Sequence, residues 1–83
     1  MATRSDVAEF VKIHLAVRLK RAGIAQPADD LSLTNTGIID SFGLLELVSA
    51  AEARFGIEVN VDAIDIDELT TFGGFVDAVS KAL

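Results

Sequence analysis

Gly37-Ile38-Ile39-Asp40-Ser41-Phe42-Gly43-Leu44-Leu45-Glu46-Leu47-Val48-Ser49-Ala50-Ala51-Glu52-Ala53-Arg54-Phe55-Gly56 reads as a turn, a helix and a stop. Asp40 and Ser41 carry short oxygen-bearing side chains that accept from the free N–H groups of a starting helix, and Gly56 supplies the left-handed residue that ends one. Between them Leu44, Leu47, Val48, Ala51 and Phe55 fall at i, i+3, i+4, i+7 and i+11, which is a core-facing stripe. Phe42, Leu45, Glu46, Ser49 and Ala53 point the other way at about 100° per residue. A Phe and a Leu therefore stand beside the serine on the side expected to meet water. Either the segment preceding the helix folds over them, or they form a docking surface around Ser41.

The rest of the chain supplies partners for that stripe. Ser5 is the expected cap of a first helix over residues 5–22, with Asp6 and Glu9 in its first turn and Lys20 and Arg21 in its last, before Gly23. Val7, Phe10, His14 and Val17 mark its apolar side, flanked by Val11 and Ile13. A long connection from Ile24 to Ile39 carries turn formers and four apolar anchors, Leu31, Leu33, Ile38 and Ile39, with room for a short helical turn near Leu31. Gly37 allows the tight approach into Ile38.

After Gly56, Ile57-Glu58-Val59-Asn60-Val61 alternates like a strand but has no second strand to pair with, so it reads as an extended connector leading to a short helix near Asp62–Glu68. Thr70-Thr71 caps a last helix with Phe72, Phe75, Val76, Val79 and Leu83 on its buried side, although Gly73 and Gly74 each lower helix propensity by about 1 kcal/mol relative to alanine. The pattern predicts an all-α fold: a four-helix bundle of three longer helices and one short helix, with a long first loop.

Composition narrows the chemistry. Eighty-three residues are expected to form one domain, 1–83, burying roughly 60% of the unfolded surface. The absence of cysteine removes disulfides, thiolate nucleophiles and zinc–thiolate sites, so any thiol chemistry needs a thiol brought from outside. No signal peptide or membrane-spanning run is evident, which makes a cytoplasmic monomer without membrane insertion the expectation. Net charge is −6 and unevenly divided: residues 1–22 hold five basic and two acidic groups, residues 23–83 two basic and eleven acidic. Such a surface repels nucleic acid and attracts basic partners.

Ser41, His14 and Asp40 are the residue types of a nucleophilic triad, but no spacing places them together, and catalysis by the domain itself is not expected. His14, the single histidine, lies on the apolar side and reads as a structural side chain, packed or partly exposed, with no second histidine or cysteine to make it a ligand. Asp62, Asp65, Asp67 and Glu68 lack the alternation and the sixth-position glycine of a calcium loop, so no metal site is expected.

Asp40-Ser41-Phe42, preceded by Gly37-Ile38-Ile39 and followed by Leu44-Leu45-Glu46-Leu47-Val48, resembles the Asp-Ser-Leu region of acyl carrier proteins. The resemblance extends from about Val7 to Leu83 and includes the long first loop and the amphipathic last helix. It implies that Ser41 carries 4′-phosphopantetheine, attached from coenzyme A by a phosphopantetheinyl transferase. It further implies that the terminal thiol holds acyl or aminoacyl groups as thioesters in fatty-acid, polyketide or related biosynthesis. The implied partners are a loading ligase and downstream acyltransferase or synthase enzymes, recognised through Asp40, Phe42, Leu45 and Glu46.

Phe42 stands where the family commonly has leucine, and Gly43 where fatty-acid carriers commonly have an acidic residue. The central helix is less acidic than in such carriers, and the Gly-Gly-His-Ser or Gly-Gly-Asp-Ser pattern of peptide-synthetase carriers is absent. The implied subclass is a free-standing carrier for a specialised acyl or aminoacyl group, D-alanyl carriers included. The rival reading is an unmodified helical adaptor that binds a basic partner through Phe42, Leu45 and Glu46.

Overall fold

The computed structural model describes residues 1–83, and it is an all-α bundle. Helices α1 (Arg4–His14) and α2 (Ala16–Arg21) are followed by a long loop, α3 (Ser41–Phe55), a connector with a 3-10 turn (Val61–Ala63), the short α4 (Ile66–Leu69) and α5 (Phe72–Lys81). There are no strands; the connector 57–60 has no regular secondary structure, with Val59 buried and its N–H donating to Glu52 Oε2 at 2.8 Å. The short helix expected near 62–68 is present as two pieces, the 3-10 turn and α4, the latter capped by Asp65.

The expected first helix is present but bent, and its details differ from the sequence reading. Thr3, not Ser5, is its cap: Thr3 Oγ1 accepts from Asp6 N–H while the Asp6 carboxylate accepts from Thr3 N–H, a capping box that satisfies two orphan donors at once. The buried positions are Val7, Val11, Leu15 and Leu19, whereas Ile13 and Val17 are 68% and 64% exposed. A stripe at strict four-residue spacing drifts about 40° round a straight helix at each step, or about 120° by Leu19. The irregular turn at Leu15 (φ −101°, ψ 9°) returns Leu19 to the core, while Leu15 N–H and Leu19 N–H still donate to Val11 and Leu15 carbonyls.

Within the core α5 presents Phe72, Phe75, Val76, Ala78 and Val79, packing chiefly against α1 and α4, and α3 contributes Leu44, Leu47, Val48 and Ala51. Phe55 is half-buried, its ring edge-on to Phe10 at 5.6 Å between centroids. Leu83, expected on the buried side of the last helix, lies beyond its end and is exposed.

The long loop contains turns and no helix, and it is held by both side chains and backbone. Leu33, Ile38 and Ile39 are buried. Leu33 N–H donates to Thr70 O at 2.7 Å, Phe72 N–H to Leu31 O at 2.9 Å and Gly73 N–H to Asp29 O at 2.9 Å, so residues 29–33 run against the start of α5. Arg4 adds an exposed tie across the same junction, 2.6 Å from Asp77 and 3.8 Å from Asp29. The hydrogen bond to Asp77 raises the guanidinium pKa above its ordinary value.

This backbone approach explains Gly73 and Gly74. A Cβ on Gly73 would stand 2.6 Å from Asp29 Cβ, and one on Gly74 would collide with the Glu68 carbonyl oxygen. The glycines mark close packing in the first turn of α5, not a loose end. Gly74→Ala is expected to lower stability by about 1–3 kcal/mol through overpacking, against the roughly 1 kcal/mol gain that helix propensity alone assigns. Urea unfolding midpoints decide between the two signs.

Candidate functional site

The start of α3 is built from its two flanks. Gly37, at φ 75°, turns the chain so that Ile38 and Ile39 enter the core, and Ile39 N–H donates to Leu33 O at 3.0 Å. With those two side chains anchored, the next residue begins the helix. Asp40 Oδ1 accepts from Gly43 N–H at 2.6 Å, and Asp40 O takes the first helical bond from Leu44 N–H at 2.9 Å. Gly56 ends the helix in the left-handed conformation, at φ 65°.

Ser41 is exposed at this helix start, and its hydroxyl makes no hydrogen bond within the protein. The N–H groups of Ser41 and Phe42 are also without acceptors, since the cap engages only Gly43. An anion on the Ser41 oxygen would meet two free donors and the positive end of a 15-residue helix. The residues here fit a phosphodiester.

Phe42 is 70% and Leu45 53% exposed, with Asp40 and Glu46 exposed beside them. The preceding loop does not fold over these apolar side chains; its own Leu33, Ile38 and Ile39 are buried in the core, with Leu31 packed against it. The four residues form one face of mixed apolar and acidic character next to Ser41.

The structure does not assemble a triad. Asp40's carboxylate caps Gly43, and Ser41 Oγ is bonded to neither Asp40 nor His14. His14 is exposed, its ring 5.6 Å from that of Phe10. It nevertheless comes close to α3: His14 and Arg18 border a depression of about 230 Å³ together with Asp40, Phe42 and Glu46. Arg18 was not singled out from the sequence, although its i+4 relation to His14 beside buried Leu15 places both on one flank. The acidic residues after Val61 do not gather into a metal-binding group.

Sequence comparison decides the family. The model for phosphopantetheine attachment sites matches residues 13–79. The chain belongs to the phosphopantetheine-binding family. Among its relatives is the D-alanyl carrier protein of Bacillus velezensis, 38% identical over 52 residues that cover 63% of this chain and 67% of the relative. The D-alanyl carrier protein of Bacillus subtilis is 34% identical over 58 residues, covering 70% and 74%. No solved structure matches the chain significantly. The protein is thus a carrier of covalently bound 4′-phosphopantetheine, and no helix in it is long and apolar enough to cross a membrane.

The site's layout separates what holds the fold from what faces outward. Leu47→Ala is expected to cost about 2–5 kcal/mol and Asp40→Ala about 0.5–2 kcal/mol as a lost cap. Phe42→Ala should stay within about 0.5 kcal/mol of the wild type. Denaturant titration checks the order; a Phe42→Ala variant as unstable as Leu47→Ala would make Phe42 a core residue.

Proposed function

We propose that Ser41 is the attachment residue, that residues 1–83 act as one carrier domain, and that the cargo is a small aminoacyl group of the D-alanyl kind. The observation that carries the first point is the unbonded, exposed hydroxyl at a helix start whose first two N–H groups are free. The nucleophile is then Ser41 Oγ, which attacks the pantetheine-bearing phosphorus of coenzyme A; the new phosphodiester bond forms as the pyrophosphate P–O bond breaks, and adenosine 3′,5′-bisphosphate leaves. The serine proton goes to a base on the transferase, because no group of this chain is bonded to it. Once joined to the protein, the arm supplies a thiol that this cysteine-free chain lacks, and with it thioester chemistry.

What the protein's own residues do is present and hold. The free N–H groups of Ser41 and Phe42 would hold the phosphodiester, Asp40 fixes the first turn, and the exposed Phe42 and Leu45 would provide desolvated contact for visiting enzymes. In this reading the domain is a substrate of other enzymes and not a catalyst. A transferase and an ATP-driven ligase load it, and an acyltransferase unloads it, in the cytoplasm where coenzyme A is available. The D-alanyl names of the relatives favour a small cargo over the fatty-acid or polyketide chains that the wider resemblance also allows.

Incubation with coenzyme A, magnesium and a broad-specificity phosphopantetheinyl transferase should add one phosphopantetheine, mapped to Ser41 and absent from Ser41→Ala. A folded wild type that stays unmodified, or is modified elsewhere, contradicts the assignment. The modified protein should then accept D-alanine from a D-alanine-activating ligase far better than a long-chain acyl group from a fatty-acyl ligase; the reverse preference overturns the cargo reading.

The face beside Ser41 separates charge from contact. Glu46→Lys should slow modification mainly through the association rate, with an effect that shrinks at high salt, whereas Phe42→Ala should weaken docking with little salt dependence. Stopped-flow kinetics at two ionic strengths measures both. Equal salt dependence in the two variants contradicts the division of labour.

A further inference from the structure

We propose that Arg18, on α2, holds the phosphodiester of the phosphopantetheine arm and so fixes the root of the arm against the α2 side of α3. This rests on Ser41 being the attachment residue. Arg18 borders three depressions, two of them at the start of α3 and one over the loop that leads into it. One, of about 340 Å³, runs along Ile38, Ile39, Asp40 and Gly43; the second is the depression of about 230 Å³ shared with His14, Asp40 and Glu46; the third, of about 390 Å³, lies over Thr36 and Gly37.

Arg18 is also free. Both ion pairs in the protein belong to Arg4, and no carboxylate approaches the Arg18 guanidinium within 4.0 Å, although Asp40 and Glu46 border the same depression. Lys12 and Lys20 border a different depression, with Pro27, and Arg21 shares only the one over Thr36 and Gly37.

Charge gives this placement its consequence. A phosphodiester on Ser41 adds a negative charge beside the carboxylates of Asp40 and Glu46, crowding three anions around one helix start. Two backbone donors, on Ser41 and Phe42, offset part of the repulsion. A planar guanidinium, with paired N–H donors matched to phosphate oxygens, supplies the remaining counter-charge from across the depression, which a lysine would do less specifically. The arm then leaves the protein with its root oriented instead of swinging freely about the serine.

Wild type, Arg18→Gln and Arg18→Lys are compared in unmodified and modified forms by melting temperature and by the phosphorus NMR resonance of the arm, after peptide mapping has shown the adduct on Ser41. Arg18 is exposed, so the unmodified variants should melt close to the wild type. The change in melting temperature on modification should be less favourable in Arg18→Gln than in the wild type by about 1–4 °C at low salt, with Arg18→Lys between them. The phosphorus resonance should shift with salt in the wild type and not in Arg18→Gln. Identical modification shifts and identical salt responses in wild type and Arg18→Gln overturn the role of Arg18. An adduct missing from Ser41 of the wild type instead overturns the attachment assignment on which it rests.

Discussion

Residues 29–33 lie against the start of α5 through the backbone, and the geometry of the site follows from that junction. Leu33 N–H to Thr70 O, Phe72 N–H to Leu31 O and Gly73 N–H to Asp29 O tie a loop far from α5 in sequence to its first turn. Each such bond contributes only about 0.5–1.5 kcal/mol net. Together with buried Leu33, Ile38 and Ile39 they remove the freedom a connection of this length would otherwise keep. The chain then reaches Asp40 from a fixed direction, and the serine after it emerges at the surface.

The two faces of α3 express the same constraint. Its buried side is short of polar atoms and fully occupied, with Leu44, Leu47, Val48 and Ala51 all in the core. The outward side leaves Phe42 and Leu45 uncovered because the loop's apolar residues are already committed elsewhere. An exposed phenylalanine costs a small domain some solubility, and the acidic surface around it offsets that cost. If Ser41 is the attachment residue, as proposed, contact area and charge on this face are what a visiting enzyme would meet. The cap of Asp40 on Gly43 serves this end by occupying the carboxylate nearest the serine without involving the serine itself.

The central helix was legible because its signals agree: a capping carboxylate, an i, i+3, i+4 stripe and a terminal glycine all point to Asp40–Gly56. The first helix was legible in extent but not in detail. Its core positions recur every four residues, a spacing that a straight helix does not keep on one face, so helical periodicity points to Ile13 and Val17 and passes over the buried Leu15 and Leu19. Thr3 and Asp6 formed a readable capping pair that Ser5, two residues on, obscured. The loop junction had almost no side-chain signature, since backbone bonds to a distant segment leave no periodicity. Gly73-Gly74 was its trace, and only the proximity of Asp29 and Glu68 shows that close packing, not looseness, requires them. The approach of His14 and Arg18 to Asp40 depends on how α1 and α2 pack against α3, which no local pattern encodes.

Amide hydrogen exchange of the unmodified protein, read residue by residue, tests most directly whether the loop is a fixed part of the bundle that presents the serine. The amides of Leu33, Ile39, Phe72 and Gly73 should be protected to nearly the same free energy as Val76 in the middle of α5, opening only with the whole domain, while Ser41 and Phe42 exchange fast. Exchange of Leu33 and Ile39 at the rate of an unstructured chain, with α3 and α5 still protected, would show the loop to be detached and would contradict the account.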